Sequence, residues 1–153
     1  MHKARIGYCL LICSLFAFSN IASSRVNNDI VGKWTVISHE DNRPRAVVKL
    51  FYNKKDRLEG TILRVYHRAA DHSHCVGCPG ELENKLIDGI RFLWHMENNG
   101  GYYWSGGYIL NPQTGKTYRC KMTMSDNGKS LSVRAYMGIS LIGRTMTWIR
   151  RKN

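Results

Sequence analysis

The chain has 153 residues with 23 basic and 11 acidic side chains, which gives a formal net charge of +12. A chain of this length predicts one domain, and its hydrophobic content of 43% is enough for a sizeable core. The basic residues are scattered rather than clustered, which indicates a solvated basic surface and no nucleic-acid partner.

Residues 1–24 have the features of a secretory signal peptide. A basic start with Lys3 and Arg5 precedes an apolar run at 6–18 and a small, polar exit at 19–24. The apolar run is shorter than the ~20 residues of a comfortable bilayer span, although an uncleaved N-terminal anchor is the alternative interpretation. Cleavage after Ser24 would leave a single domain at 25–153 with a net charge of about +10. We therefore expect a periplasmic or secreted protein whose anionic partners would be envelope components such as lipid headgroups.

Short segments rich in β-branched and aromatic residues follow one another along the rest of the chain, separated by turn-forming residues. The sequence Asn-Asn-Gly-Gly at 98–101 is a strong hairpin signal because Asn and Gly tolerate positive φ. A long irregular stretch at 67–88 separates the third and fourth segments. The predicted strands are 31–38, 45–52, 57–66, 90–97, 102–110, 116–124, 130–137 and 144–150.

The clearest alternation lies in the segment K-T-Y-R-C-K-M-T-M at 116–124. Because successive side chains point to opposite faces of a strand, Tyr118, Cys120, Met122 and Met124 form one apolar face. The segment at 130–137 repeats the pattern, and no segment shows a helical period. Consecutive strands with short connections predict an all-β, antiparallel up-and-down meander of about eight strands that closes into a barrel.

Two residues at opposite ends of the chain also favour closure. Gly32-x-Trp34 opens the first predicted strand and Arg150 ends the last one. In a closed barrel these strands are neighbours, so that Arg150 can lie on the Trp34 ring in a cation–π contact. This pair resembles the lipocalin arrangement, in which G-x-W on the first strand is capped by a late Arg.

A broader resemblance rests on four stretches: G-K-W, C-V-G-C-P-G, W-S-G-G-Y-I-L-N-P-Q-T-G-K-T-Y-R-C-K and L-S-V-R-A-Y-M-G-I-S-L-I-G-R-T-M-T-W-I-R. Together they resemble the bacterial family catalogued as domain of unknown function 2147. The resemblance implies a small exported β-protein. It supplies neither an activity nor catalytic residues.

The long stretch begins H-R-A-A-D-H-S-H-C-V-G-C-P-G, at 67–80, and has three interpretations. A metal site would draw on thiolate and imidazole donors crowded into one short loop: His72, His74, Cys75 and Cys78. A redox site would need a helix after the first cysteine, whereas Pro79-Gly80 indicates a turn. We favour a Cys75–Cys78 disulfide that staples the loop, with no metal or other cofactor.

Cys120 is then the odd thiol of a mature chain with three cysteines. Its position on the apolar face of its strand predicts a buried free cysteine. A bridge from Cys120 to Cys75 or Cys78 is the alternative.

Aromatic residues on the central strands have two interpretations. They could line a ligand site, or they could fill a packed barrel, and the glycines at 106–107 could mark a bulge. The candidate ligand-binding residues are Trp34, Phe92, Trp94, Tyr102, Trp104 and Tyr108. We found no nucleophile–base motif and no pair of working carboxylates, and therefore expect no enzyme activity.

The apolar connection G-I-S-L-I-G at 138–143 either plugs one barrel end or touches a membrane surface peripherally. These features lead us to expect a monomeric exported barrel that binds a small hydrophobic or anionic envelope ligand. The alternative is an envelope structural or interaction protein whose barrel is filled by its own side chains.

Overall fold

The computed structural model describes residues 29–66 and 73–152. The predicted signal peptide and His72 lie outside these residues. Eight antiparallel strands in chain order form one closed barrel. They are β1 (Gly32–Ile37), β2 (Pro44–Tyr52), β3 (Leu58–Val65), β4 (Arg91–Asn98), β5 (Tyr103–Asn111), β6 (Lys116–Met124), β7 (Ser130–Tyr136) and β8 (Gly143–Arg150).

The first and last strands close the barrel, as the sequence predicted. Trp34 on β1 is paired with Arg150 on β8, and the pairing continues to Ile37 and Thr147. Each strand boundary lies within one residue of its predicted position. The turn-forming residues account for this agreement because they fix where each short strand must end.

Alternation along the strands builds the core. On β6, the side chains of Cys120, Met122 and Met124 are buried, and the buried residues Val133 and Leu131 on β7 are the cross-strand partners of Met122 and Met124. The glycine-rich strand β5 shifts register against β6 between Trp104 and Gly107. Gly106 has a φ of 81° within this shift, as expected of a β-bulge that curves the sheet.

The barrel has one end that is closed by side chains. At this end, Trp34 is fully buried, and its indole nitrogen donates a hydrogen bond of 2.9 Å to the carbonyl of Ile30. The Arg150 guanidinium lies over the Trp34 ring, 4.3 Å from its centroid. The other end carries the β1–β2, β3–β4, β5–β6 and β7–β8 connections.

The β3–β4 connection is ordered by backbone hydrogen bonds from residue 73 onward. Cys75 exchanges bonds of 2.8 Å with Lys85 and Asn84, and a short 3₁₀ turn spans Gly80–Leu82. Against this connection lies Gly115 of the β5–β6 turn, where an added Cβ atom would collide with the backbone of Gly77. In the described part of the chain, no helix is long and apolar enough to span a membrane.

Candidate ligand-binding cavity

A cavity of about 930 Å³ occupies the half of the barrel that faces the open end. Its walls are mostly apolar and come from inward-facing positions of all eight strands and the nearby connections. Side chains that line the inner part are Val36, Val48, Ile62, Phe92, Ile109, Leu110, Met146 and Trp148. Small-molecule sites in proteins usually occupy roughly 300–1,000 Å³, so the cavity is large enough for a ligand.

Among the described lining residues, charged side chains lie only at the rim of the cavity. Glu40 lies 3.8 Å from Arg45 and 3.9 Å from Arg144, with both distances measured from guanidinium nitrogen to carboxylate oxygen. Arg45 also lies 3.7 Å from Asp41. The pKa of Asp41 lies below its ordinary value, mainly because it shares a hydrogen bond with Ser38. The charged side chains of the lining are therefore at the mouth, and the interior is apolar.

One polar atom in the cavity wall has no partner among the described residues. Trp148 lines the cavity and is 1% exposed, and its Nε1 makes no hydrogen bond. Its ring packs against Phe92 with the centroids 5.9 Å apart. A buried N–H without an acceptor costs about 1–3 kcal/mol, so natural structures rarely leave one unsatisfied.

Trp148 lies near the inner end of the cavity. It is paired with Val36 on β1, whereas Trp34, two residues earlier on the same strand, belongs to the closed end. A molecule that enters through the mouth would therefore meet the indole N–H only after passing the apolar walls.

The six aromatic residues proposed from the sequence occupy three different places. Phe92 lines the cavity. Trp94 and Tyr108 stack on each other with ring centroids 6.3 Å apart, away from the cavity lining, and Tyr108 is exposed. Trp34, Tyr102 and Trp104 belong to the packing near the closed end. Of the six, Phe92 is the one that lies in the lining of the cavity, and the other five lie outside it.

Two of these aromatic residues satisfy their own indole nitrogens by contacts outside the cavity. Trp104 donates to the hydroxyl of Tyr52 at 3.0 Å, and Trp34 donates to a backbone carbonyl. Arg150 covers Trp34 while donating to the carbonyls of Gly128 and Val31 at 2.6 and 3.2 Å. These residues are positioned for packing and closure, because their polar atoms already have partners.

The cysteines lie where the stapling interpretation requires. The Sγ atoms of Cys75 and Cys78 are within disulfide-bonding distance, and their Cα atoms are 5.7 Å apart. His74 makes a contact of 2.9 Å with the Ser73 hydroxyl. Within the described ranges, no three His, Cys, Asp or Glu side chains gather in a way that could hold a metal ion.

Cys120 is buried and free, on the inner face of β6. Burial raises the pKa of its thiol to about 12 because the thiolate would lose its hydration. The thiol is therefore protonated at physiological pH and suits a packing role rather than a reactive one.

Two features of the cavity escaped the sequence interpretation. The alternation T-M-T-W-I-R at 145–150 places Met146 and Trp148 on the inner face, but it did not identify Trp148 as a cavity residue. The rim residues Arg45 and Arg144 lie at the starts of β2 and β8, which are far apart in the sequence, so that no sequence pattern brings them together. Only the strand register around the closed barrel shows that Arg45 and Arg144 lie at the same end.

The architecture defines a class of protein: closed up-and-down barrels with an apolar interior that opens at one end. The chain belongs to a bacterial family, described as an uncharacterized protein conserved in bacteria (domain of unknown function 2147), whose model matches residues 32–150.

A comparison with solved structures shows the same fold. The chain is similar to protein HP1028 from Helicobacter pylori, which is described as belonging to the lipocalin family. The TM-score is 0.67 at 20% identity, and the match covers 82% of this chain and 84% of that chain. A comparison with curated proteins returned no match.

Proposed function

We propose that this protein binds one small hydrophobic molecule in the barrel cavity and does not transform it. The observation that supports this function is the open apolar cavity of about 930 Å³. A barrel that served only as a scaffold would gain stability by filling this space, because empty apolar volume forfeits packing contacts. The lipocalin-like fold is consistent with a binding role but is weaker support.

The unpartnered indole N–H of Trp148 indicates which polar group the ligand would carry. An apolar body would contact Val48, Ile62 and Phe92, while a carbonyl, ether or hydroxyl oxygen would accept the N–H of Trp148. The arginines of the described lining, Arg45 and Arg144, lie at the rim rather than at the inner end, so a neutral acceptor suits the position beside Trp148 better than a carboxylate. An anionic group would instead remain at the rim, near Arg45 or Arg144.

Native mass spectrometry of protein purified from its own envelope fraction tests the binding role directly. We expect an apolar molecule to copurify at one copy per chain and to be released by organic extraction. A spectrum that contains only the bare chain, together with failure of added apolar probes to bind, would contradict the proposal.

The role of Trp148 can be tested with a matched pair of probes, 2-decanone and decane, which differ in one acceptor oxygen. Affinities would be measured by displacement of the neutral fluorophore N-phenyl-1-naphthylamine. Trp148→Phe should weaken ketone binding by about fivefold to tenfold, because one hydrogen bond is worth about 1 kcal/mol. Decane should bind both proteins within about a factor of two. Equal losses for both probes would assign Trp148 a packing role only.

We further propose that the protein is exported, with cleavage after Ser24. The basic and apolar pattern of residues 1–24 supports this, and a Cys75–Cys78 disulfide would persist in an oxidising compartment. Protein recovered from the periplasm or medium should begin at Arg25 and yield a bridged peptide in a non-reduced digest. An intact Met1 on cytoplasmic protein would contradict export.

A further inference from the structure

Exposed apolar side chains are concentrated at the open end of the barrel. Among the described residues, the six large hydrophobic side chains with the greatest exposure all lie in two connections at this end. They are Val76 (61%) and Leu86 (58%) in the β3–β4 connection and Met137 (60%), Ile139 (60%), Leu141 (84%) and Ile142 (67%) in the β7–β8 connection. The other large hydrophobic side chains of the described surface are at most 43% exposed.

The β7–β8 connection at 137–142, here called the apolar tip, has a fixed conformation. The guanidinium of Arg134 donates to the carbonyls of Ser140 and Leu141 at 2.7 and 3.0 Å. The ammonium of Lys121 donates to the Ser140 hydroxyl at 3.2 Å. Since the backbone of the apolar tip is tied down, the outward direction of its hydrophobic side chains is built into the fold.

The apolar tip also forms part of the cavity mouth. Met137 and Ile142 line the rim, beside Gly143 and Arg144. Any surface that covers the apolar tip would therefore lie next to the entrance of the barrel.

Basic groups accompany the apolar tip. Lys121 and Arg134 lie beneath it on the outer wall, while Arg45 and Arg144 lie at the rim. The nearby carboxylate of Glu40 is within 4 Å of both rim arginines. Exposed apolar side chains with basic groups beneath and beside them match the boundary of an anionic bilayer, where the apolar side chains enter the acyl region and the cations meet the headgroups.

We propose that the open end of the barrel docks onto anionic lipid membranes through the apolar tip. Stable protein interfaces bury roughly 800 Å² on each partner, and a single six-residue connection is small for that purpose. A bilayer needs no complementary surface, so a short insertion with basic neighbours suffices. Docking would place the cavity mouth against the source of apolar ligands, but membrane binding itself does not depend on the proposed ligand.

Vesicle sedimentation provides the test. Purified protein would be mixed with vesicles of phosphatidylcholine alone and with vesicles that also contain phosphatidylglycerol. We expect binding to the anionic vesicles, weakened by salt because headgroup attraction is screened. Leu141→Ser should weaken this binding by roughly fivefold or more, and addition of Ile139→Ser should weaken it further, since both side chains leave water on docking.

Ile149→Ser is the matched control because Ile149 is also exposed but lies on β8 near the closed end. This variant should bind vesicles as the parent protein does. Failure of the parent protein to bind anionic vesicles, or equal binding by Leu141→Ser, would overturn the proposal. A dimer that Leu141→Ser dissociates in the absence of lipid would instead assign the apolar tip to contact between copies of the chain.

Discussion

The side chain of Arg150 connects the last strand of the barrel to the first strand and to the residues that precede it. Its guanidinium covers the ring of Trp34 and donates to the carbonyls of Asp29, Val31 and Gly128. Burial lowers the pKa of Arg150, with nearby Asp29 acting in the opposite direction. The planar group with its five donors makes contacts that an ammonium cannot reproduce.

We therefore expect Arg150→Lys to lower the free energy of unfolding by about 2 kcal/mol, because two or more of these hydrogen bonds are lost together. Urea denaturation followed by circular dichroism would measure the change. Arg151→Lys is the control, since Arg151 is exposed and makes a side-chain contact of 3.3 Å with the hydroxyl of Tyr66. Equal effects of the two substitutions would contradict the structural role of Arg150.

Cys120 gives a pH dependence whose sign follows from its environment. The pKa of its thiol rises from 9.0 to about 12 in the folded chain. Above pH 9, the unfolded chain loses this proton while the folded chain keeps it, so this thiol lowers stability as the pH rises towards 12.

The expected slope from Cys120 is about 1.4 kcal/mol per pH unit above pH 9. Denaturation of the parent protein and of Cys120→Ala at several alkaline pH values would isolate the contribution of Cys120, because the two proteins share all other titrating groups. The difference in stability between the two proteins should shrink as the pH rises. A difference that stays constant with pH would show that the thiol is not desolvated.

At the scale of elements, the β3–β4 connection depends on a close approach to the β5–β6 turn. Gly115 has a φ of 67°, and an added Cβ atom would meet the backbone of Gly77. Gly80 in the same region has a φ of 56°, but open space surrounds it. A comparison of substitutions at Gly80 and Gly115 therefore separates the effect of backbone strain from the effect of steric collision.

Gly80→Ala should therefore cost about 1 kcal/mol from the left-handed backbone alone. Gly115→Ala should cost about 2–3 kcal/mol because the connection must also move away from the turn. Thermal unfolding of both variants would compare them. A Gly115→Ala variant as stable as Gly80→Ala would show that the two segments are not in contact.

The eight strands could be predicted because their signals are local. The alternation on β6 and the turn residues between strands are each recognised from a few neighbouring residues, and the tertiary structure keeps the strands that these signals predict. The closure could also be predicted, since Trp34 and Arg150 mark the first and last strands.

The cavity could not be predicted in the same way. A strand pattern shows that Phe92 and Trp104 face inward, but not that one lines an open space while the other packs near the closed end. That difference depends on the level of each residue along the barrel axis, and bulges such as the one near Gly106 change this level. The strand pattern also did not show that Trp94 and Tyr108 stack on each other outside the cavity.

For the whole molecule, the structure combines an apolar interior, one closed end and an open end surrounded by apolar and basic side chains. The closed end depends on Trp34 and Arg150, whereas the open end carries the charged rim and the entrance to the cavity. This asymmetry is consistent with the proposed binding role, because a ligand of such a cavity would enter and leave through one end only.

Fluorescence titration with N-phenyl-1-naphthylamine tests the binding cavity most directly. The parent protein should bind one probe per chain, and Ser132→Phe, which adds a ring on the exposed face of β7, should do the same. Ala135→Phe, which adds a ring at the cavity lining, should weaken binding at least tenfold while the barrel stays folded. Equal, saturable binding by all three proteins would contradict a ligand site inside the barrel.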